Sequence, residues 1–115
     1  MTQTVPPADR KAQIAAWKER RVTAGVYALR CPAADGLWIG RAPDISTIER
    51  RIRFTLRSGG STQRDLQAAF AAHGDEALSF EVLERLEPDA DGPVPDYLLR
   101  SRHEAWLARL GGKRI

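Results

Sequence analysis

A chain of 115 residues, 43% hydrophobic and 29% charged, is one globular domain's worth of sequence, and its composition excludes wholesale disorder. No apolar run is long enough to span a bilayer, and the polar, Pro-bearing stretch Met1 to Arg10 lacks the apolar core of a signal peptide, so a cytoplasmic protein with no membrane partner is expected. The net charge of +3 hides an asymmetry: residues 1–60 carry 11 Lys and Arg against 5 Asp and Glu, residues 61–115 seven against ten. A basic, arginine-rich half suits phosphate, because guanidinium forks match phosphate oxygens. Cys31 is the only cysteine, which rules out an intrachain disulfide and a thiolate zinc cage, and two histidines are too few for a His-based metal site.

Residues 1–7 read as a flexible arm. Residues 8–22 read as a basic helix with a narrow apolar stripe of Ile14 and Trp17. The rest, 23–115, is expected to form the domain. Gly25 to Cys31 has strand composition, Asp35-Gly36 signals a turn, and Leu37 to Arg41 is a second short strand, so the two read as an antiparallel hairpin. Strand alternation places Gly25, Tyr27 and Leu29 on one face and Val26, Ala28 and Arg30 on the other.

Pro43 breaks the second strand, and Ser46 with Glu49 forms a capping-box pattern for a helix that runs to about Arg57 or Ser58 and stops at Gly59-Gly60. At the helical period Ile45, Ile48, Ile52 and Leu56 share one arc, the core face. Phe54 falls almost opposite. Arg50, Arg53 and Arg57 share one flank as an exposed basic stripe. Arg51 lies on the other flank between Phe54 and Ile48; with both apolar sides covered it would be half-buried and need an internal carboxylate or an anionic ligand.

Thr62 with Asp65 repeats the capping pattern for a helix ending at His73, closed by Gly74. Ala77 to Leu86 alternates as a third strand, Glu87 to Pro95 is an acidic loop, and Asp96 to Leu110 is a last helix with Leu99, His103, Trp106 and Leu110 on one stripe. Gly111-Gly112 stops it before a short basic tail. The order α-β-β-α-α-β-α makes an α+β domain: a small three-stranded antiparallel sheet flanked by helices.

No phosphate-cradling loop, HExxH or CxxC motif is present, so any catalysis uses scattered residues. Tyr27 is a mid-strand phenol, as well suited to packing as to chemistry. Glu104 lies beside the last helix's apolar stripe, a hard oxygen ligand for Mg²⁺ or half of a surface pair with Arg100 one turn earlier.

The paired tripeptides Gly25-Val26-Tyr27 and Trp38-Ile39-Gly40 resemble those that name the GIY-YIG endonuclease family. Leu56-Arg57-Ser58-Gly59 with Gln63 to Phe70, then His73-Gly74 with Phe80 to Glu84, and Arg102 to Trp106 are similar to the elements that follow in that family, over about residues 24–110. The resemblance implies hydrolysis of nucleic-acid phosphodiester bonds with one divalent metal, Mg²⁺ or Mn²⁺. It implies Tyr27 as general base, directly or through water, Arg51 stabilising charge on the phosphoryl oxygens, and Glu104 holding the metal. Trp38, Gly40, Arg41, Arg50, Arg53 and Arg57 would contact nucleic acid, DNA in preference to RNA. A tyrosine base needs nearby positive charge, from Arg51 or Arg41, to bring its pKa down. Trp38 departs from the second tyrosine of the motif, and an indole only donates; a nucleic-acid-binding module without catalysis is the alternative reading.

Overall fold

The structure is a computed structural model and describes residues 22–88 and 92–115. The expected arm and most of the N-terminal helix lie outside the described residues. Strands β1 (Ala24–Cys31) and β2 (Gly36–Ala42) form the expected hairpin. Its turn is a short 3-10 turn closed by Asp35 in the left-handed region, φ 51°. Helices α1 (Ile48–Arg57) and α2 (Arg64–His73) follow, then β3 (Ser79–Leu86) and α3 (Asp96–Leu110).

The sheet order is β3-β1-β2-β4, with β4 (Lys113–Arg114) running parallel to the edge of β2. Among the described residues the sheet is therefore mixed and four-stranded, where the sequence pattern suggested three antiparallel strands. Gly111, at φ 72°, ends α3 in the left-handed conformation and lets the next residues run alongside β2. A two-residue strand carries no periodicity, so the sequence reads it as a tail.

β1 is the central strand and is buried from Ala24 to Leu29. The alternation expected for it holds. Tyr27, Leu29 and Cys31 pack with Trp38, Leu56 from α1 and Leu66 from α2, while Ala24 and Val26 pack with Ile39 and Leu99 from α3. Helices on both faces close two small cores around one sheet.

The inward arc of α1 is as expected: Leu56 is buried and Ile48 and Ile52 pack against the same core. The capping box is not formed. Asp44 accepts from both the backbone N–H (3.0 Å) and the hydroxyl (2.6 Å) of Ser46, which holds its carboxyl below the usual range, and Glu49 turns to Arg53. Gln67 on α2 donates to the Leu56 carbonyl (2.9 Å), which also accepts from the Gly59 N–H (3.1 Å), and so fixes the α1–α2 corner.

Candidate functional site

An open cleft of about 350 Å³ lies between the sheet, α1 and the 60–63 turn. Tyr27 and Arg51 both line it, with Thr55, Ser61 and Gln63 as polar neighbours. The sheet supplies the phenol, because odd-numbered residues of β1 face α1. The helix supplies the guanidinium from the side of its apolar arc. Two of the three expected catalytic residues thus meet in one depression.

Tyr27 is 5% exposed, and its ring stacks on Phe80 with centroids 5.4 Å apart and planes 22° apart. The phenol lies across Gly40: a Cβ built there would fall 2.9 Å from Tyr27 Cε1 and closer still to the hydroxyl. Gly40 is therefore a space requirement of Tyr27, not an opening for substrate. Burial pushes the Tyr27 pKa up to about 12. The expected help from a cation is absent: Arg41 is engaged elsewhere and Arg51 is solvent-exposed. At neutral pH the phenol is protonated.

The folded pKa lies above the unfolded value of about 10, so the stability this phenol lends is full below pH 10. It is lost as pH rises toward about 12, amounting to roughly 2–3 kcal/mol. Ultraviolet phenolate absorption should therefore show a phase near pH 12 that Tyr27→Phe removes. A Tyr27 phase at or below pH 10 would show that a cation does activate it.

Arg51 is not half-buried. Phe54, which was to cover one side of it, is 68% exposed. Among the described residues Arg51 makes no ion pair, and its only electrostatic partner is Asp44, whose carboxyl it helps to lower. Arg50 and Arg57 are likewise exposed and unpaired among the described residues.

Arg53 does not belong to that stripe. Its side chain is 16% exposed and clamps α1 to the segment before β3. Its donors reach Glu49 (3.0 Å), the Asp75 carboxylate (2.8 Å) and backbone carbonyl (3.0 Å), and the Leu78 carbonyl (2.8 Å). Burial opposes its charge, but Asp75 and Glu49 outweigh that and raise its pKa. With its donors so committed, Arg53 is a structural clamp and is not available to a nucleic acid.

Trp38 is 2% exposed, and its indole N–H donates to Asp65 (3.0 Å), which also accepts from Lys113 (2.6 Å). The Lys113 ammonium and the indole hold the Asp65 carboxyl below its usual range. Trp38 is absent from the lining of the Tyr27 cleft. It packs into the core and reaches the surface only at the floor of a separate depression that it lines with Asp65 and Lys113.

Glu104 is exposed on α3 and does not line the cleft. Arg114 of β4 engages both its oxygens, the second at 3.0 Å, and that pairing holds the Glu104 carboxyl below the usual range. Arg100 pairs with Asp96 instead (2.6 Å). Glu104 and the cleft are nonetheless joined through β4, since Ile115, the residue after Arg114, lines the cleft. Among the described residues no group of three or more His, Cys, Asp or Glu could hold a metal ion. One carboxylate fits Mg²⁺ only where waters and substrate phosphate complete the shell.

Sequence reasoning gave His103 no role. It is fully buried; Arg41 donates to its Nδ1 (3.2 Å), so Nε2 carries the proton and donates to the Ile39 carbonyl (2.8 Å). Burial, with Arg41 and Arg114 nearby, lowers its pKa and keeps it neutral. One Arg41 donor is thereby tied to α3. The signal was present: His103 shares the Leu99–Trp106 stripe, so it had to face the sheet.

No protein-family model matches the chain, and no curated protein does. Two solved structures do. One is the catalytic domain of the intron endonuclease I-TevI in a glutamate-to-alanine mutant form, 22% identical with a TM-score of 0.66, covering 78% of this chain and 86% of that one. The other is the catalytic domain of the homing endonuclease I-TevI, 23% identical with a TM-score of 0.66, covering 80% of this chain and 97% of that one. With β1 and β2 carrying the two tripeptides and α1 closing a cleft over Tyr27, the chain has the GIY-YIG endonuclease-like fold.

Proposed function

We propose that this protein is a metal-dependent endonuclease that hydrolyses nucleic-acid phosphodiester bonds, with DNA favoured over RNA. The observation that carries the reading is the meeting of a buried phenol and an exposed guanidinium in one open cleft on this fold. A phosphate in the cleft gains a bidentate partner in Arg51, which makes no ion pair among the described residues. As water attacks phosphorus, its proton passing to solvent in the open cleft, and the bond to the leaving oxygen breaks, charge builds on the equatorial oxygens, where that fork holds it.

Tyr27 enters as a neutral phenol. Its hydroxyl can accept a hydrogen bond from the attacking water and donate to a phosphoryl oxygen, which orients the nucleophile. Glu104 would hold the divalent cation, which supplies positive charge to support the leaving oxygen. Since Arg114 already engages both Glu104 oxygens, a cation there competes with it. That occupied carboxylate is what favours the second reading, a nucleic-acid-binding module without chemistry.

Incubating the protein with labelled single-stranded, duplex and branched DNA and with RNA, in Mg²⁺, Mn²⁺ or chelator, separates the two. Metal-dependent cutting that Glu104→Gln loses, with nucleic-acid affinity retained, is the expected result. Salt-dependent binding without cutting of any substrate would establish the binding module.

A further inference from the structure

Phe54 is the large apolar side chain that α1 turns to solvent, 68% exposed. A single exposed phenylalanine is ordinary on a protein surface. Its surroundings are not. One helical turn separates it from Arg50 and Arg51 on one side and from Arg57 on the other, so three arginines flank one ring. All three are exposed and make no ion pair among the described residues, whereas Arg53 on the same helix spends its donors on Glu49, Asp75 and Leu78.

Arg50, Arg51, Phe54 and Thr55 also line a shallow depression of about 320 Å³ on the outer side of the helix. Arg51 and Thr55 line the Tyr27 cleft as well, so the two depressions share a wall. A polyanion whose phosphate reaches Arg51 from the cleft side has Phe54 beside it in the adjoining depression.

We propose that Phe54 is a stacking platform for an unpaired base next to the phosphate held at Arg51, and that the preferred partner is single-stranded or locally unpaired nucleic acid. The ring offers an open π-face, and the arginines offer charge for the phosphates on either side of the base. A base inside a duplex has both faces covered by its neighbours and cannot use the ring without leaving the stack. The inference rests on the nucleic-acid half of the proposed function and not on cleavage.

The test measures equilibrium binding by fluorescence anisotropy, in chelator, of a labelled oligodeoxythymidine and of a duplex of equal length across a salt series. Phe54→Ala should weaken single-strand binding roughly 5- to 150-fold, the range that loss of one base–aromatic stack produces, while duplex binding changes less than about twofold. The salt slope should stay the same, since no charge is removed. Phe54→Trp should restore the affinity and Phe54→Leu should not, which separates stacking from plain apolar contact. Arg57→Ala should weaken both ligands alike and lower the salt slope by about one. Equal loss on both ligands with Phe54→Ala, or no loss on the single strand, overturns the proposal. Selective, Phe54-dependent binding by a protein that cuts nothing keeps the platform and refutes the nuclease, whereas absence of any binding overturns the platform and leaves the nuclease to the cleavage assay in Mg²⁺ or Mn²⁺.

Discussion

Arg51→Ala is expected to slow phosphodiester cleavage by about 10²- to 10³-fold, the scale on which removing one donor to a developing oxyanion acts. The fold should not notice. Arg51 is exposed and has no ion pair among the described residues, so the unfolding free energy should move by less than about 0.5 kcal/mol. Arg51→Lys keeps the charge but not the fork, and should recover only part of the rate. The loss should fall on kcat more than on KM, because the fork holds the bound phosphate but gains most as charge appears when the bond breaks.

Arg53→Ala supplies the contrast two residues away. It strips donors from the Leu78 carbonyl and from Asp75, and should destabilise the fold by about 1–3 kcal/mol. Any activity it loses should return when the assay is run well below its unfolding temperature. If Arg51→Ala cuts like the wild type, the guanidinium is a surface charge and the assignment of the cleft is wrong. If only KM rises, Arg51 binds ground state and transition state equally, and the chemistry resides elsewhere.

The contrast between Arg51 and Arg53 also shows where a linear pattern stops being informative. A helical wheel states the direction of a side chain, and the inward arc of Ile48, Ile52 and Leu56 is where the wheel places it. It cannot state what lies opposite. Arg53 meets Asp75 and Leu78 from beyond α2, so a residue that looks solvated is in fact clamped. Glu104 meets Arg114 only because α3 stops at Gly111 and the chain turns along β2. The hairpin, the two faces of β1 and the span of α3 were legible, because each is written in alternation, a turn dipeptide, or a proline and a glycine at the ends. Tyr27 was legible as a face and a motif position. Its raised pKa was not, since that follows from the depth of its burial and from where Arg41 and Arg51 settle in three dimensions.

Gly40→Ala should be strongly damaging for the addition of a single carbon. The added methyl would lie inside the Tyr27 ring edge, at separations that real Cβ atoms do not adopt, and the contact is with a ring stacked on Phe80 rather than with a flexible chain end. The ring must leave its place, or β1 and β2 must part at the Tyr27–Gly40 pair. Either way the cost should be about 1–3 kcal/mol of stability, and the hydroxyl leaves the cleft, so cleavage should fall with it. A double-mutant cycle identifies the cause. Tyr27→Leu removes the atoms that the methyl meets, so adding Gly40→Ala to Tyr27→Leu should cost at least about 1 kcal/mol less than adding it to the wild type. Chemical denaturation of the four proteins measures that coupling directly. Simple additivity would mean that the methyl clashes with the backbone and not with the phenol, and that Gly40 does not set the position of Tyr27.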